Sequence, residues 1–189
     1  MSNKDHRVCI QSNLFKRVLN EEFEALPDAL QALHSVSGKH IWRGRVRIER
    51  GRGWLSRLAG WVARFPPTGC DVPVEVVMTR IGETEVWRRQ FGTHGLKSVL
   101  RVASRDGQPV MTEQFGLFRF ELGLRVEDER LHYPVERGAF LSIPLPRFLL
   151  PVSQSFEHVD EQGRACFDVS VSVPLAGFVA HYQGWLEAV

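Results

Sequence analysis

From Gly69 onward the chain reads as a succession of strands joined by short turns, at about 71–80, 84–91, 96–105, 109–115, 117–127, 130–142, 152–159, 164–173 and 177–187. The alternation is clearest where Phe118, Phe120, Leu122, Leu124 and Val126 interleave with Arg119, Glu121, Arg125 and Glu127. It recurs where Phe167, Val169, Val171 and Val173 interleave with Asp168, Ser170 and Ser172. A period of two sends each set to its own face of a sheet, and burial of one face implies antiparallel pairing. Gly82, Asp106-Gly107, Asp128 and Gln162-Gly163 supply the turns. Open twisted sheets of that width are uncommon and their edges invite aggregation, so the meander is expected to curl into a barrel or half-barrel. The single long break is 143–151, whose prolines exclude it from a central strand. It reads as an ordered apolar loop or helical turn at the rim, serving as a portal or lid, or as a plug closing that end.

Helices precede this meander. Leu14, Phe15, Val18, Leu19 and Phe23 recur at helical spacing, with Ser12 or Asn13 available as N-cap. Pro27 fits the first position of a second short helix, so that 12–35 forms a helical hairpin or kinked helix. From 40 to 50 the period is two, with Trp42, Gly44, Val46 and Ile48 inward. Between 53 and 65 Trp54, Leu58, Trp61 and Phe65 mark the inward face of an amphipathic helix that ends at Pro66-Pro67. The class is therefore α+β, mainly antiparallel β, with helices covering or plugging the concave side. The 189 residues suit a single domain, 1–189, and neither linker nor repeat divides them.

No apolar stretch approaches the roughly 20 residues needed to cross a bilayer, and no secretory h-region follows the first residues, so a cytoplasmic location is expected. Cys9, Cys70 and Cys166 are odd in number and far apart, which argues for free thiols and against a disulfide framework or structural zinc. The net charge of +2 conceals an asymmetry, because residues 1–105 carry 18 basic and 10 acidic side chains whereas 106–189 carry 6 and 12.

The residues Leu26-Pro27, Leu33-His34, Trp42-Arg43-Gly44, Pro66-Pro67, Trp87-Arg88-Arg89-Gln90-Phe91, Pro144-Leu145-Pro146, Phe167-Asp168-Val169 and Tyr182-Gln183-Gly184-Trp185-Leu186 resemble the bacterial domain-of-unknown-function family 4166 over nearly the whole chain. In that family the domain often follows a saccharopine-dehydrogenase-like NAD(P)-binding domain. The resemblance thus implies a substrate or partner shared with a separately encoded NAD(P)-dependent reductase, since no GxGxxG follows a strand here. It implies no catalytic residues and no cofactor.

Among candidate sites, Arg89 shares a face with Trp87 and Phe91, so a guanidinium points toward the apolar side. Burying it requires an internal carboxylate, for which Glu113, Asp168 and Glu187 are candidates, or the anionic head of a ligand. Arg50, Arg57 and Arg64, seven apart, stripe the amphipathic helix beside Trp54 and Trp61. They suit either peripheral membrane contact or an ordinary packed helix with a solvated stripe, the plainer alternative. The eight basic residues from Lys39 to Arg64 superficially suit nucleic acid, but the tryptophans fall on the expected buried faces and no recognition motif accompanies them. The histidines show no metal-ligand spacing. Ser142, Ser155 and Cys166 lack a nucleophile context, and His34 and His181 read as satisfied or exposed residues. The leading expectation is non-catalytic binding of a hydrophobic or amphipathic small molecule near Arg89, in a concave face lined by Trp42, Trp87, Phe91, Phe118, Phe120 and Tyr182. An enzyme or reductase accessory domain for a lipid-like substrate, and a protein-interaction or membrane-surface module, are the alternatives.

Overall fold

The computed structural model describes residues 13–189, so Cys9 and Ser12 lie outside the described residues. The Asn13 side chain accepts the Lys16 backbone N–H and caps α1 (Leu14–Leu19). A 3₁₀ stretch (Asn20–Ala25) and α2 (Asp28–His34) follow, with Pro27 at the N-cap, one place earlier than the sequence suggests. Then come β1 (Lys39–Arg50), α3 (Trp54–Val62), β2 (Gly69–Ile81), β3 (Thr84–Phe91), β4 (His94–Arg105) and β5 (Gln108–Phe115). Next are β6 (Phe118–Leu122), β7 (Arg125–Glu127), β8 (Arg130–His132), β9 (Val135–Phe140) and β10 (Ile143–Pro144). A 3₁₀ turn (Arg147–Leu149), β11 (Val152–Val159), β12 (Ala165–Val173) and β13 (Gly177–Ala188) complete the chain.

All thirteen strands belong to one antiparallel sheet in the order β10-β9-β6-β5-β4-β3-β2-β1-β13-β12-β11-β8-β7. β1 pairs with β2 on one side and with the last strand, β13, on the other. β1 and β13 approach closely: a Cβ on Gly44 would lie 1.7 Å from the Trp185 carbonyl oxygen, and one on Gly184 would lie 2.1 Å from that of Arg45. Glycine is required at both places by space alone.

The stretches 117–127 and 130–142, which alternation presents as two single strands, each break in the middle. β6 and β9 pair at one side of the sheet, whereas β7 pairs with β8 and β8 adds to β11, with Leu131 opposite Glu157. Pro134 has no N–H for a ladder, and its carbonyl accepts from the Gly123 N–H at 2.9 Å. One bent two-stranded ribbon therefore reaches across the concavity from β5 to β11. The ends of the order, β10 and β7, do not pair with each other, and the sheet is curled rather than closed.

The N-terminal helices fill part of the concavity. Leu14, Phe15, Leu19, Leu30 and Leu33 pack against Trp42, Met78, Trp87, Leu100, Met111 and Leu131 in one cluster. Leu14 and Leu30 are wholly buried, so truncating either to alanine costs about 2–5 kcal/mol and the helices are part of the core, not an appended arm.

α3 departs from the expectation drawn from its periodicity. Its buried residues are Ser56 and Gly60, while Trp54 and Trp61 are 74% and 76% exposed. The cause is Arg50, whose guanidinium donates to the Phe65 and Pro66 carbonyls at 2.9 and 3.2 Å and lies where a Gly60 side chain would stand. The Ser56 hydroxyl donates to the Phe178 carbonyl at 2.7 Å. The helix is seated by its small, polar side, which leaves Trp54 and Trp61 in the open.

Candidate functional site

The part of the concavity that the helices leave unfilled holds a chamber of about 410 Å³, within the range of small-molecule sites. Its walls are Leu55, Leu58 and Val62 of α3, Phe118, Phe120 and Leu122 of β6, Val169, Val171 and Val173 of β12, and the loop residues Leu145, Leu149 and Pro151. Phe118 and Phe120 stack with centroids 6.1 Å apart. Strand alternation explains the apolar lining, since only the inward set of each strand reaches the space.

Deeper in, against the helical plug, lies a recess of about 100 Å³. Glu113, Phe115, Leu122, Tyr133, Val169 and Tyr182 line both spaces, so the recess forms the floor of the chamber. The polar groups are gathered here. Arg89 donates to Ser98 Oγ at 2.7 Å and to Glu113 Oε1 at 3.2 Å, and its guanidinium stands 4.8 Å from the Trp87 ring centre. Glu113 is thus the carboxylate partner, and Asp168 and Glu187 are not. His34 Nε2 and Glu157 Oε2 are 2.5 Å apart, with the imidazole against Phe15 at 3.8 Å between centroids and its Nδ1 without a partner.

Tyr133 and Tyr182 complete the floor. Burial pushes the Tyr182 hydroxyl up to about 12, against the opposing charge of Arg89. Burial likewise holds Tyr133 well above the ordinary phenol value, and the Glu157 carboxylate adds to the shift. Both hydroxyls therefore stay neutral donors, and no hydrogen bond among the described residues engages either one. A neutral ion pair, two unengaged hydroxyls and a buried histidine–carboxylate pair at the end of an apolar chamber suit the polar end of an amphipathic molecule.

Of the residues singled out from sequence, Arg89, Trp87 and Phe91 line the recess, Phe118 and Phe120 the chamber, and Tyr182 both. Trp42 lines neither; it is buried in the core cluster. His181 lies 2.9 Å from Asp168, but on the face opposite to Tyr182 and Phe167, away from the chamber. Cys166 is buried, with its thiol pushed up to about 11 by that burial, and Cys70 is an exposed free thiol. Tyr133, Glu157 and the α3 wall are not apparent from alternation. Pro134, one residue after Tyr133, is the available signal that a strand must break there. Among the described residues no group of His, Cys, Asp or Glu is placed to hold a metal ion, and no helix is long and apolar enough to cross a membrane.

No curated protein matches the chain. A family model described as a domain of unknown function, DUF4166, matches residues 26–186. That span begins after the 3₁₀ stretch and ends within β13, taking in every residue of the chamber wall and the polar side chains of its floor, and the chain accordingly belongs to the DUF4166 family.

Proposed function

We propose that the protein binds an amphipathic small molecule, with its apolar portion in the chamber and its polar end at Tyr133, Tyr182 and the Arg89–Glu113 pair. The observation that carries this is the polarity gradient across two adjoining spaces with shared walls: aliphatic and aromatic walls outside, and unengaged hydroxyls at the floor. Because Glu113 already neutralises Arg89, a hydroxyl, carbonyl or amide end fits better than a free anion, which would have to displace that carboxylate. A filled chamber also removes apolar wall from water, worth about 25 cal/mol per Å² before ordering costs are subtracted.

Native mass spectrometry of the purified protein tests this reading, followed by denaturing extraction. A stoichiometric adduct is expected on the wild type and its loss is expected in Val171→Trp, which fills the chamber from a wall position without touching the Arg89 pair. An adduct retained in full by Val171→Trp places the ligand elsewhere and contradicts the proposal.

A second reading, an enzyme acting on such a molecule alongside a separately encoded reductase, draws on the convergence of Arg89, Glu113, His34, Glu157, Tyr133 and Tyr182 on one floor. The two separate on chemistry: an extracted molecule identical before and after prolonged incubation supports binding alone, and a product that disappears with Tyr133→Phe supports the enzyme.

A further inference from the structure

Hairpin registers fix two ends of the curled sheet. Phe91 and His94, Phe115 and Phe118, Phe140 and Ile143, and Val173 and Gly177 all turn at one end, together with α3 and the 143–151 loop; this is the chamber mouth. Among the described residues, fourteen large hydrophobic side chains are exposed, and all except Ile81 and Val189 stand at this end. They include Trp54, Leu58 and Trp61 on α3, Phe148 at 61% exposure in the rim loop, and Leu175 and Phe178 at the β12–β13 turn. Monomeric proteins seldom gather so much apolar surface in one place without a use for it.

Charge divides along the same axis. The segments at the mouth, 50–69, 92–95, 115–118, 140–152 and 173–178, contain no aspartate or glutamate, but carry Arg50, Arg52, Arg57, Arg64 and Arg147. At the far end the turns carry Asp106, Asp128, Glu129 and Glu161, together with Glu83, paired with Arg17, and Asp160, paired with Arg164. On β1, Arg43 is paired with Glu75 and Arg47 with Glu49, whereas no ion pair among the described residues engages Arg52, Arg57, Arg64 or Arg147 at the mouth, or Arg88, Arg101 and Arg119 on the sheet. On α3, at about 100° per residue, the order around the axis is the seated side (Ser56, Gly60), the chamber side (Leu55, Ala59, Val62), the tryptophan side, then Arg57 and Arg64.

We propose that the chamber mouth docks on an anionic lipid bilayer. Trp54, Leu58, Trp61 and Phe148 enter the interface, and Arg52, Arg57, Arg64 and Arg147 lie at the level of the phosphates. Tryptophan favours that boundary, and unpaired arginines beside it are drawn to negative headgroups. Asp106, Asp128, Glu129 and Glu161 at the far end, which no ion pair among the described residues engages, are repelled, and this orients the molecule mouth-down. The bilayer is then the source or destination of the amphipathic ligand; that last step rests on the ligand reading above, while docking itself does not.

The test is co-sedimentation of the full chain with phosphatidylcholine vesicles, with and without phosphatidylglycerol, read together with tryptophan emission. The wild type is expected to sediment with the anionic vesicles, to be released by salt, and to shift its emission to the blue. Trp54→Ser/Trp61→Ser and Arg57→Glu/Arg64→Glu, all at exposed positions, are each expected to weaken association by about tenfold or more while keeping the wild-type circular dichroism. Val171→Trp, which blocks the chamber, is expected to sediment as the wild type does, so a failure of the ligand reading leaves this result intact. Wild type remaining in the supernatant with anionic vesicles overturns the proposal, as does undiminished association of both double variants. A wild-type dimer that Trp54→Ser/Trp61→Ser converts to monomer, without vesicle association, assigns the patch to a second copy of the chain and overturns it as well.

Discussion

The chain has only two tyrosines, and both stand at the floor of the chamber, which makes them reporters of that space. Burial favours the neutral phenol, so in a spectrophotometric titration no tyrosinate is expected near the ordinary value of 10.0, and Tyr182 is expected to ionise at about 12. The sign for stability follows. Phenols whose folded values are raised keep their full contribution below 10.0, and that contribution is lost as pH rises through the folded value. Two tyrosines titrating together near 10.0 in the native state would show a floor open to water. Arg89 and Glu113 make a second prediction. Their side chains are 17% and 11% exposed, so Arg89→Ala strands a mostly buried carboxylate and is expected to cost about 3 kcal/mol in urea unfolding. Arg89→Met/Glu113→Leu is expected to recover most of that loss. Alternation places Arg89 on the apolar face and requires a partner for it, but nothing in a sequence pattern chooses between Glu113, Asp168 and Glu187. The choice is made by β3–β4–β5 adjacency, which brings Ser98 and Glu113 within hydrogen-bonding reach of Arg89.

At the scale of elements, periodicity locates α3 but wrongly turns Trp54 and Trp61 inward, although Leu58 and Phe65 of the same set do line the chamber. Apolar residues at helical spacing establish that a helix has an apolar side, not that the fold covers it. Here the covered side is defined by Gly60, where a Cβ would come within 1.9 Å of Arg50 Nη2, and by Ser56. Gly60→Val is therefore expected to unseat α3 locally. Hydrogen exchange over 54–62 is expected to accelerate while protection of β2 to β5 is unchanged, and slow exchange in α3 of the variant would show that Arg50 does not hold it. The bent ribbon is a similar case. Leu122, Leu124 and Val126 continue one alternation across Gly123, and only the register shows that β6 and β7 belong to different neighbourhoods of the sheet. Turn chemistry is a surer guide: Asp106 and Gly107, at φ 51° and 81°, form the two-residue hairpin that their identities suggest.

For the molecule as a whole, one-sided burial along many strands is enough to predict a curled antiparallel sheet plugged by helices. It does not predict that the plug leaves part of the concavity open. That follows from the lengths of α1 and α2, whose apolar residues reach Trp87 and Leu100 but stop short of Phe118 and Val171. The remaining volume, its apolar walls and its polar floor are the ground for assigning a ligand. Isothermal titration with a long-chain fatty alcohol and with the corresponding fatty acid measures this most directly, on the wild type and on Val171→Trp. The account predicts saturable binding at one site per chain, with a negative heat-capacity change, a preference for the alcohol, and abolition in the filled variant. Absence of saturable binding to either probe, or equal binding by Val171→Trp, would contradict it.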